Sequence, residues 1–222
     1  GRCTGRRRER LDETAASIAG EGGTAAAIAA DVTNRTQVEA LVQRAERKCG
    51  PIDVLFNNAG SFASIAGVHE VDPDVWWHDV TVNLLGPLLM IRTVLPGMRE
   101  RDSGVIINMN GGRPVGGTGY ACGKAGLMEL TRILNEELRQ QESSVLVFGA
   151  GPGLVRTEMT QLQAESEAGR RWIPSTHESF QAGRLRQPEE IARATVRMLG
   201  VAALADSGKS FGPDTDSSDW GR

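Results

Sequence analysis

Asp53-Val54-Leu55-Phe56-Asn57-Asn58-Ala59-Gly60 is the stretch whose reading decides the fold. Three consecutive apolar residues without polar alternation read as a strand buried on both faces, the kind found in parallel sheets covered by helices on each side. The run then breaks into two asparagines and a glycine, residue types that serve tight turns. A strand passing abruptly from apolar to polar puts its polar end where open parallel sheets hold ligands, beyond the strands' carboxyl ends.

Working outward, the same grammar repeats. Upstream, Gly50-Pro51 stops a helix whose Val38, Leu41, Val42 and Ala45 recur at helical spacing, with Thr33 or Asn34 available as its cap. Before it, Ala25 to Ala29 reads as a strand bounded by Gly22-Gly23 and Asp31, and Glu9 to Ala19 as a short helix with Leu11, Ala15 and Ile18 on one face. Downstream, Val71 to Met98 is predicted helical in two parts, bent between Asn83 and Pro87. Val105-Ile-Ile-Asn108 and Val145-Leu-Val-Phe148 are further buried strands, separated by a long helix from Tyr120 to Gln140. Pro188 suits the first turn of a last helix, and Ser210-Phe211 forms a short closing strand. The pattern predicts one α/β domain, doubly wound around a mainly parallel sheet. Its polar and Gly-rich clusters fall at strand ends: Asp31, Asn57 to Gly60, Asn108 to Gly112, and Gly151 to Thr157.

Composition narrows the function. The 222 residues suffice for one such domain, and the net charge of −3 gives no reason to expect nucleic acid or an acidic membrane as partner. Cys3, Cys49 and Cys122 are an odd, unclustered set, which argues for a reducing, cytoplasmic setting. His69, His78 and His177 are scattered, so no metal is expected. The apolar stretch Val80 to Leu95 reads as too short for a membrane span and is interrupted by Asn83, Gly86, Pro87 and Arg92. Five arginines and no apolar run in the first twenty residues argue against a signal peptide. Arg6, Arg7, Arg8 and Arg10 read either as a solvated helix start or as contacts for a cofactor phosphate.

Tyr120-Ala-Cys-Gly-Lys124 sets a phenol and an ammonium on one helix face, and Tyr120 is the chain's single tyrosine. An unperturbed phenol has a pKa of ~10, and a neighbouring cation is expected to lower it towards a useful range for proton exchange. Transfer of a hydride between a carbonyl and an alcohol needs such a proton partner at the substrate oxygen.

The ordered set Asp31-Val32, Asn57-Asn58-Ala59-Gly60, Asn83, Tyr120-x-x-x-Lys124 and Pro152-Gly153-x-Val155-x-Thr157, running from about Arg6 to Leu199, resembles the short-chain dehydrogenase/reductase family. The resemblance implies a Rossmann-like fold, NAD or NADP as cofactor, a small carbonyl or alcohol substrate, and assembly as a homodimer or homotetramer. It implies Tyr120 as general acid/base and Lys124 as the group that tunes it and holds the nicotinamide ribose. Asn83 would hold a relay water through its carbonyl, and Asp31 and Val32 would face the adenine. Asn57, Asn58, Ala59 and Gly60 would make cofactor and strand contacts, while Val155 and Thr157 would touch the carboxamide and a phosphate. Each also has a plain reading: Asp31 as a turn residue, Asn83 as a polar residue at a kink, the others as tight turns. An acidic residue at the end of the second strand selects NAD and arginine selects NADP; Gly5 followed by Arg6 leans slightly to NADP.

The sequence departs from the family pattern twice. It opens on Gly1-Arg-Cys-Thr-Gly5-Arg6, which resembles the end of the family's second strand, so a Gly-rich strand-turn-helix of about 30 residues is expected ahead of it. The family's substrate-orienting serine is also missing: residues 108–119 hold no serine, and Asn110 or Thr118 would have to substitute. These departures leave open a catalytically silent nucleotide-binding or partner-binding relative. Residues 161–186, with Trp172, Ile173, Pro174 and Phe180, would cover the substrate, and suit a hydrophobic carbonyl compound unless they are plain packing.

Overall fold

The computed structural model describes residues 1–216, 218, 220 and 221. Its strands are β1 (Arg2–Gly5), β2 (Ala26–Ala29), β3 (Val54–Asn57), β4 (Val105–Met109), β5 (Leu146–Ala150) and β6 (Ser210–Phe211). Every pairing between them is parallel, with Phe56 opposite Ile107 and Ile107 opposite Phe148 in the central register. The expected single sheet divides in two among the described residues: β1 pairs with β2, and β3-β4-β5-β6 form a second sheet. β1 and β3 therefore each keep one edge without a strand partner. Arg2 ties the two groups near their base, its guanidinium donating to the Gly50 carbonyl at 2.5 Å.

Helices α1 (Arg8–Gly20), α2 (Arg35–Cys49), α3 (Pro73–Val80), α4 (Gly86–Glu100), α5 (Thr118–Gln140), α6 (Glu158–Glu165), α7 (Glu167–Trp172), α8 (Pro174–Gln181) and α9 (Pro188–Val201) follow the strands. Local chemistry sets their ends. Asn34 caps α2 by accepting from the Gln37 N–H at 3.0 Å, and Gly50 closes it at φ 77°, a conformation that suits glycine. Asp72 caps α3, whose first position is Pro73.

The predicted bend between Asn83 and Pro87 is a π-turn over Thr81–Leu85, in which the Gly86 N–H reaches back five residues to the Thr81 carbonyl. It joins α3 to α4 in one continuous run, Pro73–Glu100, of 28 residues. That run closely matches the two-part helix expected over Val71 to Met98, its parts continuous because a π-turn bends a helix without ending it, and it extends past the apolar stretch Val80 to Leu95 at both ends. By length and composition it could cross a membrane. Its Asp79 and Asn83, however, are both fully buried and hydrogen-bonded within the protein, so this face is committed to internal packing.

Both faces of the second sheet are covered at β4 and β5, which explains why those strands are apolar without alternation. β3, at the sheet's edge, buries Leu55 and Asn57 but leaves Val54 and Phe56 exposed, which corrects the expectation that it is buried on both faces. On one face Ile106 and Val147 join α2, α4 and α5 through Val38, Leu41, Val94, Met98 and Leu138. On the other, Ile107 and Phe148 meet Ile191, Ala194 and Met198 of α9. With these layers in place, the carboxyl ends of β3, β4 and β5 share one edge, and the polar residues gather there.

Candidate active site

The polar edge begins with a ladder of amides. Asn57, at the end of β3, donates to the Asn108 side-chain carbonyl at 2.9 Å, and Asn108 donates to the Thr131 hydroxyl on α5 at 2.9 Å. All three are buried, and the ladder locks two strand ends to the long helix. Beyond it, Asn58, Ala59 and Gly60 emerge at the surface.

Helix α5 brings Tyr120 and Lys124 to this edge together. Lys124 is 3% exposed, and its Nζ donates to the Met109 carbonyl at the end of β4, 2.8 Å away. The same Nζ lies 5.9 Å from the centroid of the Tyr120 ring, so the two side chains share a face as their spacing predicts. Lys124 has three donors and one protein acceptor, leaving two N–H groups of a buried ammonium to find partners. A Cβ built on Gly60 would lie 3.9 Å from Nζ and 3.2 Å from Asn83 Oδ1, which brings the Asn57-to-Gly60 turn into the same cluster.

Burial dominates the electrostatics. It lowers Lys124 from 10.5 to about 8, and it raises the Tyr120 phenol above its ordinary value. The expectation that the ammonium pulls the phenol down is therefore corrected for these residues by themselves. At this separation, loss of water around the ring outweighs the cation.

Asn83 is fully buried in the π-turn. Its Nδ2 donates to the Ser61 and Asp79 carbonyls at 2.6 and 2.8 Å, which fixes the loop after Gly60 to the helix. Gly123, one turn from Gly119 on α5, lets the helices approach: a Cβ there would come within 2.8 Å of Asn83 Cβ.

The loop between β4 and α5 carries a second correction. Asn110 donates to the Ser210 hydroxyl at 3.1 Å, reaching across β5 to β6, and its Oδ1 is buried without a partner. Thr118 accepts from the Trp76 indole at 3.1 Å. The Asn110 amide is thus turned to β6, while the Thr118 hydroxyl is held by the indole as an acceptor and keeps its own O–H to donate. The residue that meets the phenol is Gly111, where a Cβ would lie 2.1 Å from Tyr120 Oη. The loop passes so close to the phenol that a side chain at position 111 would collide with it.

The remaining expected residues lie around this cluster. Asp31 makes the turn its plain reading describes, accepting from the Thr33 N–H at 2.9 Å and hydroxyl at 2.7 Å. Those bonds, with Arg6 adding a smaller share, hold its carboxyl below the usual range. Val32 packs on Gly86, and Arg6 is exposed at the end of β1. Val155 bridges to Arg186, and Thr157 caps α6 by accepting from the Thr160 N–H. From residues 161–186, Trp172 leans onto the loops around the site: a Cβ on Gly67 or Gly116 would meet its ring or stem within 2.8 Å.

Three residues escaped the sequence reading. Phe62 stacks on Tyr120 with ring centroids 4.5 Å apart and planes 10° from parallel. Asp79 and Gly111 complete its surroundings. An acidic residue four before Asn83, on the buried face of an apolar helix, was the available signal for Asp79.

Several comparisons bear on this arrangement. A short chain dehydrogenase of Pseudocercospora fijiensis is 35% identical over 163 residues, which cover 71% of this chain and 52% of that protein. The chain thus spans about half the length of that relative. The inactive 2-(S)-hydroxypropyl-CoM dehydrogenase 2 of Xanthobacter autotrophicus is 31% identical over 197 residues, 87% of this chain and 85% of that one. A crystal structure of an actinorhodin polyketide ketoreductase variant with NADPH superposes with a TM-score of 0.84 at 28% identity, covering 95% of this chain and 84% of that one. A profile of the short chain dehydrogenase family matches residues 2–168, a span that takes in every motif from Asp31 to Thr157, and the protein is a member of that family.

Proposed function

We propose that this protein is an NAD(P)-dependent oxidoreductase that reduces a ketone to a secondary alcohol, with Tyr120 as proton donor. The observation that carries the reading is the pair on α5: a half-buried phenol and a buried ammonium on one face, at the carboxyl edge of a parallel sheet. The two unpartnered N–H groups on Lys124 suit the hydroxyls of a nicotinamide ribose, which is the fit that favours this cofactor. Gly60 lies beside that ammonium, and Asn58 and Ala59 precede it on the same turn. Val155, Thr157, Asp31, Val32 and Arg6 would hold the rest of the cofactor, with Arg6 favouring a 2′-phosphate. When bound, the reduced cofactor supplies a hydride.

The protein's own residues then do the following. Tyr120 holds a proton on Oη and gives it to the substrate oxygen as that oxygen gains charge. Burial raises the phenol, so Tyr120 carries its proton at neutral pH and holds it tightly, and donation depends on the charge developing on the substrate oxygen. Lys124 stays buried beside it, anchored to the Met109 carbonyl, and Asn83 keeps the neighbouring turn in place. Trp172 and its segment supply an apolar cover, which favours a hydrophobic ketone.

The test is oxidation of NADPH, followed at 340 nm, across a panel of ketones, with the parent and Tyr120→Phe side by side. Parent turnover that falls ~10²–10⁴-fold in the variant supports the reading. A second reading, a silent relative, is favoured by the glycine at position 111 and by the Xanthobacter relative's name. It predicts no turnover from either protein despite binding of NADPH.

A further inference from the structure

Residues 61–64 form a short loop directly after the Asn57-to-Gly60 turn, and every residue flanking Phe62 is tied to one carboxylate. Asp79 Oδ1 accepts from the Ser61 hydroxyl at 2.5 Å and the Ala63 N–H at 3.0 Å. Its Oδ2 accepts from the Ser64 N–H at 2.8 Å and the Ser64 hydroxyl at 2.6 Å. Asp79 is fully buried, and these partners are all neutral donors. A carboxylate in such a place is costly unless every lone pair is used, so the loop and the charge depend on each other. Phe62, 6% exposed at the centre of this loop, lies flat against the Tyr120 ring. On the helix side, Gly119 admits the loop, since a Cβ there would come within 2.7 Å of Ser64 Oγ.

We infer that Asp79 is a positioning residue for the reaction: its carboxylate fixes both shoulders of the 61–64 loop, so that Phe62 clamps the Tyr120 phenol by face-to-face stacking. The inference rests on the proposed role of Tyr120. It also answers a question posed by Gly111, which offers the phenol oxygen no side chain to lean on. Orientation comes from the ring's face instead. The clamp hides one side of the ring from water while leaving Oη at the edge, where a substrate oxygen has to approach.

Because Tyr120 is the single tyrosine, phenolate absorbance near 295 nm reports this one group without any need for activity. The titration is run by rapid pH jump, before alkaline unfolding, on the parent, Phe62→Leu and Asp79→Asn. Circular dichroism and thermal melts check that each variant is folded. The expected result is a midpoint displaced downward in both variants, towards the ordinary ~10 of an uncovered phenol. If Asp79→Asn does not fold, the double variant Ser61→Ala/Ser64→Ala takes its place and should shift the same way. Folded variants that titrate like the parent would overturn the inference, including the case in which they lose only thermal stability. Absence of ketone turnover in the parent would count against the proposed activity, while the titration would still decide the clamp.

Discussion

Replacing Lys124 with methionine should make the protein more stable at neutral pH while abolishing the chemistry proposed for it. Burial takes this ammonium from 10.5 to about 8, a difference worth about 3 kcal/mol against the charged fold. Below pH 8 the lysine is charged in both the folded and unfolded chains, so the penalty is fully present. Between pH 8 and 10.5 the folded protein has released a proton that the unfolded chain still holds, and stability rises with pH through that window. Tyr120 acts in the opposite sense, because its raised phenol keeps a proton that the unfolded chain releases above ~10, and stability falls from there. Parent stability should therefore climb from pH 8 to a maximum near pH 10. Methionine preserves much of the side chain's volume and removes the charge, at the cost of the bond to the Met109 carbonyl, worth ~1.5–3 kcal/mol for a charged donor. The net gain at pH 7 is then up to about 1.5 kcal/mol, shrinking to a loss near pH 10. Urea titrations of both proteins at pH 7 and pH 9.5, read by tryptophan fluorescence, measure it. A parent whose stability is flat over this range, or a methionine variant less stable at pH 7, would refute the assignment of Lys124 as a strained, desolvated cation.

Two other outcomes are expected. Gly111→Ala places a methyl 2.1 Å from the phenol oxygen, so the ring must swing aside; the cost should be ~1–3 kcal/mol in chemical denaturation, and a neutral substitution would show that the loop yields instead. Arg6→Glu, at the exposed end of β1, should shift the ratio of NADPH to NADH affinity towards NADH by about tenfold, or 1.4 kcal/mol, in fluorescence titrations; an unchanged ratio would remove Arg6 from the cofactor site.

What could be read from sequence was the part governed by local rules. Apolar runs such as Val105-Ile-Ile and Val145-Leu-Val mark strands because both of their faces are covered. Asn34, Gly50 and Pro188 mark helix ends because a capping side chain, a positive φ that suits glycine and a missing N–H donor each act within a few residues. Tyr120 and Lys124 share a face because helix geometry demands it. The parts that were not legible depend on distance in three dimensions. Nothing local says that the amide of Asn110 will reach Ser210, a hundred residues away, or that Thr118 will accept from Trp76. The balance between burial and the cation at Tyr120 was invisible for the same reason, since it turns on a separation of 5.9 Å that spacing alone does not set. Phe62 looked like an ordinary loop residue until its ring was placed against another.

The π-turn at Thr81–Leu85 has a bearing on which length changes the protein can accept. It holds one residue more than an α-helical turn would need, so deleting a residue there would restore regular bonding locally. Yet each residue advances a helix by about 100°, and the deletion would rotate everything after it relative to everything before. Either Asp79 and Asn83 would leave the 61–64 loop, or Met90, Val94 and Met98 would leave the core. The extra residue works as a phase adjuster: it lets one continuous rod serve two neighbours whose angular demands differ, and its removal would force the protein to forfeit one of them.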